Sequence, residues 1–234
     1  GGTVRVRALK DKPNVRCRVV AKDVKTHEGD SLFAATPPLE SLKMLLAIAA
    51  SRGWALKHID IKRAYFHAKA LREVYVEVDD RDKTEDEGDV VGRLNFAMYG
   101  TRDAASSWEA CYTEVLTKAG YKQGRYSLCV FKKNDVVLTV HGDDFTMTGP
   151  DDQLEEAERM MRRSFDLKVQ DLRPGGEGEM IILNRRVTSS AAGYVYEPDG
   201  KHAQKVLKEL GLDGADAKGS FITGAKAAAD DGDL

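Results

Sequence analysis

Two short runs of β-branched and apolar residues, VVLTV at 136–140 and FTMTG at 145–149, are separated only by His141, Gly142, Asp143 and Asp144. So brief a polar break between strand-like runs is met by a tight β-hairpin, with Asp143 and Asp144 at its tip. A third carboxylate, Asp60, lies far upstream inside the apolar-flanked run HIDIKRAYF. Carboxylates on separate strands that a fold draws together repel unless a cation neutralises them, so this set points to a divalent-metal site.

With 234 residues, 42% of them hydrophobic, the chain can bury a sizeable core as one large domain or as two or three subdomains. Its longest apolar run is too short to span a bilayer, and GGTVRVRALK lacks the apolar stretch of a secretory signal, so no membrane partner is expected. Cys17, Cys111 and Cys129 are widely spaced and odd in number, which fits neither a disulfide framework nor a zinc site and points to a reducing, intracellular setting. The start without Met and the tail GAKAAADDGDL read as a segment of a longer polyprotein. Net charge is only -2, yet over residues 5–25 Arg5, Arg7, Lys10, Lys12, Arg16, Arg18, Lys22 and Lys25 face only Asp11 and Asp23, a local excess suited to phosphate. The acidic run over 77–89 reads as a solvated loop.

VRVRAL and VRCRVVAK alternate with period two around the turn-like KDKPN and predict an N-terminal hairpin. The same period puts Arg16, Arg18, Val20 and Lys22 on one face, where the bases can meet phosphate oxygens together. Pro37 and Pro38 open a helix to about Arg52, with Leu39, Leu42, Leu45, Leu46 and Ala49 at helical spacing and Gly53 as its stop. Strands are predicted at 56–61, 74–78, 90–94 and 126–132 and within 136–148, with helices over about 104–119 and 151–165. A short hairpin over 178–187 and then a helix within 194–211 are expected before a tail of little pattern. From residue 56 the order strand, helix, strand, strand, helix, strand predicts an α+β fold with a ferredoxin-like split βαβ sheet and helices on one face.

The ordered series RVVAK, HIDIKRAYF, LNFAMYG, Trp108, GYKQGRYSLCVFKK, HGDD and TMTGPDDQLEEAERMMRRSFDLK, over roughly 15–212, resembles the reverse transcriptase domain of copia-type retrotransposon Pol polyproteins. The resemblance implies a right-hand polymerase fold. It would divide into a fingers hairpin and first helix over 1–55, palm over 56–78, a fingers insertion over 79–99, palm with the catalytic hairpin over 100–187, and the start of a thumb or connection over 188–234. It also implies an RNA-directed DNA polymerase that extends a primer 3′-hydroxyl with dNTPs on an RNA or DNA template, using two Mg²⁺ or Mn²⁺ ions. Other segments of the same polyprotein, RNase H and integrase, would be partners, in a cytoplasmic particle or the nucleus.

By the same resemblance Asp60, Asp143 and Asp144 are catalytic, and Asp60, Ile61, Asp143 and Asp144 make up the metal set. Asp60 and Asp143 would bridge both ions, with Asp144 a supporting charge. Arg16, Arg18 and Lys22 match a triphosphate-binding strand, Tyr65 a steric gate against a ribose 2′-hydroxyl, and Tyr99 and Gly100 a turn beside the incoming nucleotide. Neither His58 nor His67 matches a family ligand, and Mg²⁺ prefers oxygen, so both read as structural. Trp54 and Trp108 read as packing residues.

Several positions depart from the family pattern. His141 and Gly142 stand where a Tyr and a small apolar residue are usual, which predicts a looser turn. Asp103, Ala104, Ala105, Ser106 and Ser107 replace a Gln-Ala-Pro-Arg run, removing a rigid proline and a base, and GGEGEMIILNRRV replaces an apolar stretch. Two readings follow: a metal-dependent polymerase, favoured by the intact carboxylates, and a catalytically silent remnant that keeps the fold and binds nucleic acid, favoured by the altered turn.

Overall fold

The computed structural model describes residues 3–8, 16–23, 36–78, 83–84, 88 and 90–214. Most of the acidic run at 77–89 and the tail beyond 214 lie outside the described residues. The N-terminal hairpin is present as β1 (Thr3–Ala8) and β2 (Arg16–Ala21), paired antiparallel with Val6 opposite Arg18.

The organising element is β3 (Ala55–Ile61), whose residues are buried nearly without a break, the mark of a strand covered on both faces. It lies in an antiparallel sheet with β6 (Lys122–Gln123), β7 (Val130–Lys133), β8 (Val136–His141), β9 (Asp144–Gly149) and β10 (Leu167–Leu172), in the order β10-β3-β9-β8-β7-β6. The part β10-β3-β9-β8 has the strand order of a ferredoxin-like split βαβ unit, so the fold is α+β with a polymerase-type palm, as expected.

Two helices cover one face. In α2 (Ala104–Lys118) Trp108, Tyr112 and Leu116 are buried four residues apart, and in α3 (Asp151–Ser164) Leu154, Ala157 and Met161 are buried three and then four apart. They pack on Ile59, Ile61, Leu138, Phe145 and Met147 to form the larger core. Acidic Asp151 and Asp152 in the first turn of α3 and basic Arg162 and Arg163 in its last complement the helix dipole. The other face carries a smaller core in which α1 (Leu39–Arg52) sets Leu42, Leu46 and Ala49 against Leu56 and Leu172. Gly53, at φ +65°, ends α1 in the left-handed conformation that a C-terminal glycine supplies.

The same smaller core takes in Met180, Ile182 and Val187 from a three-stranded sheet of β11 (Glu179–Ile182), β12 (Arg185–Ser190) and β13 (Gly193–Glu197). Sequence patterning assigned only a helix to 194–211. Here Gly-Tyr-Val-Tyr-Glu pairs with β12, and α4 (Gly200–Glu209) starts only after Pro198, where the Asp199 carboxylate accepts the Lys201 amide at 3.0 Å. Strand β12 also runs through the boundary expected after residue 187. The strand expected at 126–132 shortens to β7, because the Gly124 amide bonds to the Val130 carbonyl and the Val130 amide to Ser127, closing a turn that leaves Tyr126 99% exposed. A separate two-stranded ribbon, β4 (Tyr75–Glu77) with β5 (Val91–Arg93), lies beyond a 3₁₀ turn at Ala64–His67.

Candidate active site

The register of the palm sheet brings two of the three expected carboxylates together. Asp60, near the end of β3, is directly opposite Asp144, the first residue of β9, and on its other side it is opposite Lys168 of β10. Directly opposed residues of antiparallel strands point to the same face with Cβ atoms about 5 Å apart. That face is the one away from α2 and α3, and there Asp60, Asp144, His58, Lys168, Val169 and Gln170 line an open cavity of about 590 Å³.

His58 precedes Asp60 by two residues, so strand alternation sets both on the cavity side. Its side chain is buried, with Nε2 3.4 Å from Asp144 Oδ1 and Nδ1 3.1 Å from the Thr146 hydroxyl. With Nε2–H turned to the carboxylate, Nδ1 accepts from Thr146. Sequence reasoning treated His58 as structural; the signal that marks its closeness to the site is the two-residue spacing from Asp60.

Asp143 belongs to the turn between β8 and β9. The paired residues His141 and Asp144 close a two-residue loop of Gly142 and Asp143 in which only Gly142 has positive φ, at +62°. That is the type II′ pattern, which calls for glycine at its first position. Gly142 is therefore what a tight turn needs, and the looser turn expected from the sequence is not found. The Asp143 carbonyl accepts the Ile61 amide at 2.9 Å, and the Gly142 carbonyl accepts Trp108 Nε1–H at 2.7 Å. Burial first, and then the negative charge of Asp143, raise the Tyr65 phenol above its ordinary pKa, which sets Asp143 on the Tyr65 side of the site.

The donors available to an ion are carboxylate oxygens, the type that hard divalent cations take. Asp60 and Asp144 share the cavity, but among the described residues no group of three or more His, Cys, Asp or Glu side chains converges closely enough to hold a metal. The chemistry of the set fits Mg²⁺ or Mn²⁺, while the third carboxylate is not drawn into one ligand cluster with the other two.

Tyr65 lies in the 3₁₀ turn that follows β3, its ring 4.5 Å from that of Tyr99, and Phe66 is 5.7 Å from Tyr99 on the same side. Gly100, at φ +90°, permits a close approach to the end of β2: a Cβ there would clash with the Ala21 carbonyl oxygen. The Ala21 amide donates to the Tyr99 carbonyl at 2.8 Å, so the end of β2 is stitched to this turn. Lys22 falls just past β2 and is exposed, lining a cleft with Asp23, Arg72 and Tyr75. Backbone alone is described for Arg16 and Arg18, and their phosphate role lies outside the described side chains.

A charged junction that the sequence did not disclose ties these parts together. The Arg72 guanidinium bonds to Asp23 and reaches Asp103 Oδ1 at 3.2 Å, while the Arg102 amide donates to Asp23 at 3.0 Å. Burial pushes the Asp23 carboxyl up, but the Arg102 amide and the Arg72 guanidinium outweigh it and hold the group below its ordinary pKa. Asp103, next to α2, thus serves Arg72 and makes no side-chain cap for the helix.

The profile of a family described as reverse transcriptase (RNA-dependent DNA polymerase) matches residues 4–219. The chain belongs to the reverse transcriptase family. This reverse transcriptase segment is similar to the retrovirus-related Pol polyprotein from transposon TNT 1-94 of Nicotiana tabacum, 23% identical over 209 residues, a match covering 86% of this chain and 15% of the relative. It is 25% identical to the Pol polyprotein from transposon RE2 of Arabidopsis thaliana, covering 58% of this chain and 10% of that one. The transposon Ty1-DR1 Gag-Pol polyprotein of Saccharomyces cerevisiae is 24% identical, with 61% and 8% covered. The copia-type Pol resemblance is thereby borne out, for a chain that spans 15% of the tobacco relative's length. Among solved structures, apo telomerase from Candida tropicalis truncated from its C-terminal domain is similar at a TM-score of 0.44 and 10% identity, covering 70% of this chain and 41% of that one. No helix among the described residues is long and apolar enough to cross a membrane.

Proposed function

We propose that this reverse transcriptase segment is an RNA-directed DNA polymerase of a retrotransposon, which joins dNTPs to a primer 3′-hydroxyl annealed to an RNA or DNA template. The observation that carries the reading is the facing pair Asp60 and Asp144 on an open cavity at the end of the palm strands, within a family match over 4–219. In this reading Asp60 and Asp144 across the cavity, with Asp143 of the turn and Ile61 at the end of β3, would hold two divalent cations. When bound, such ions lower the pKa of the primer hydroxyl and neutralise the triphosphate and leaving pyrophosphate.

The protein's own residues do the rest. Asp60 and Asp144, drawn close by register, supply negative charge on the cavity wall. His58, its Nε2 3.4 Å from Asp144, sets a polar nitrogen beside that pair. Tyr65, braced by Tyr99, presents a flat ring that excludes a ribose 2′-hydroxyl by contact. Gly100 and Tyr99 act chiefly by holding the fingers strand that carries Arg16, Arg18 and, just beyond its end, Lys22 toward the triphosphate. RNase H and integrase segments of the same polyprotein complete the cycle, in a cytoplasmic particle or the nucleus.

Primer extension on an RNA template with an annealed DNA primer, in Mg²⁺ and separately in Mn²⁺, tests the reading. The expected outcome is incorporation of dNTPs in preference to rNTPs, with Tyr65→Ala reducing that preference about 10- to 100-fold, the size of effect a single steric contact supplies. A folded chain that binds the duplex and incorporates nothing would favour the silent remnant.

A further inference from the structure

The loop carrying Asp143 stands at the end of its hairpin, yet both of its carbonyls are held from outside that hairpin. Ile61 of the neighbouring strand β3 donates its amide to the Asp143 carbonyl at 2.9 Å, and Trp108 of α2 donates its indole N–H to the Gly142 carbonyl at 2.7 Å. The Gly142 carbonyl belongs to the peptide plane before the Asp143 Cα, and the Asp143 carbonyl to the plane after it. Since peptide units are planar, fixing both planes fixes φ and ψ of Asp143 and with them the direction of its Cα–Cβ bond.

No side chain at 142 can share this task, because glycine stands there and open space surrounds the position a Cβ would take. The indole, by contrast, is itself immobilised. Trp108 is 1% exposed and meets Phe165 at 5.1 Å, Tyr112 at 5.6 Å and Phe145 at 6.3 Å, all edge-on. A helix packed on the far face of the sheet is thus tied directly to the turn beside the cavity. The geometry points to Trp108 as the positioning residue of Asp143, acting through its N–H and not only through its bulk. This inference rests on the reading of Asp143 as a catalytic carboxylate.

The test replaces Trp108 with 3-benzothienylalanine, which keeps the ring shape and puts sulfur in place of the N–H, with Trp108→Phe as a second variant that folds from natural residues. Three quantities are read in the whole chain: amide exchange at Ile61, whose N–H reports closure of the loop, the affinity for Mn²⁺ alone, and the split between kcat and KM for dNTP. Loss of one buried hydrogen bond predicts exchange at Ile61 faster by about tenfold and Mn²⁺ binding weaker by about five- to tenfold. In the same variants kcat falls about tenfold while the dNTP KM holds within about twofold, the pattern of a misplaced catalytic group. Unchanged exchange at Ile61 with unchanged Mn²⁺ affinity would overturn the inference, as would exchange accelerated throughout the palm, which marks lost packing. If the unaltered chain extends no primer, the polymerase reading fails by itself, and the Ile61 exchange still decides whether Trp108 holds the loop.

Discussion

Gly142 and Gly100 are each required for a different reason, and the difference is measurable. Gly142 meets a dihedral demand in open space, so Gly142→Ala adds strain without a clash and should lower unfolding free energy by about 1–2 kcal/mol, read by urea denaturation. Gly100 meets both a dihedral and a contact demand, since a Cβ would meet the Ala21 carbonyl, so Gly100→Ala should cost more, about 3 kcal/mol, and loosen β2. Equal losses at the two positions would count against this assignment. At the same scale, Gly142, though it departs from the family pattern, meets the dihedral demand of a tight turn. The sequence displays the glycine but not its φ, and only the paired residues His141 and Asp144 reveal that the loop has two residues and needs one positive dihedral.

The link between β3 and α3 is carried by Lys57, a buried base that bonds to Glu158 and lies 3.1 Å from Asp171. Burial pushes the Glu158 carboxyl up, yet its bonds to Lys57 and Arg162 outweigh this and hold its pKa below the ordinary value of 4.5. A carboxyl depressed in the folded state binds its proton more weakly there than in the unfolded chain. Its contribution is therefore complete above pH 4.5 and is lost as pH falls through the folded-state value. Glu158→Gln should destabilise the chain by about 2–3 kcal/mol at neutral pH, less than a fully buried pair because Glu158 keeps some exposure, and the deficit should shrink as the solution is acidified. Thermal melts of both proteins from pH 7 down to pH 3 check the sign. Elements of this length were legible in the sequence where a local signal was sustained: α1 through Leu42, Leu46 and Ala49 at helical spacing, α3 through its acidic first turn and Arg162 and Arg163 near its end, and the β8–β9 hairpin through two strand-like runs around a short polar break. Strand β6 was not, because two residues carry no period, and β13 was absorbed into the helix that follows it. The candidate site divides in the same way. Asp60, Asp143 and Asp144 stand out as residues, but the facing of Asp60 with Asp144, the His58 contact and the Trp108 bond depend on a register between segments more than 30 residues apart.

At the scale of the whole molecule, and among the described residues, the Ala21 amide ties the end of β2 to the Tyr99 carbonyl, and Arg72 bridges Asp23, just past that strand, to Asp103. Arg72→Met would leave the buried Asp103 carboxylate without its cation and should cost about 2–3 kcal/mol, discounted for the partial exposure of Arg72, with Asp103→Asn restoring part of the loss in the double variant. That junction holds the chain just past the end of β2 against the start of α2. If the facing Asp60 and Asp144 do the chemistry, single-turnover primer extension on an RNA template by Asp60→Asn and Asp144→Asn registers their loss. Each variant should keep its melting temperature within a few degrees and lose at least about a thousandfold in rate, roughly 4 kcal/mol of transition-state stabilisation. Extension by the Asp60→Asn chain at the rate of the unaltered protein would contradict that role.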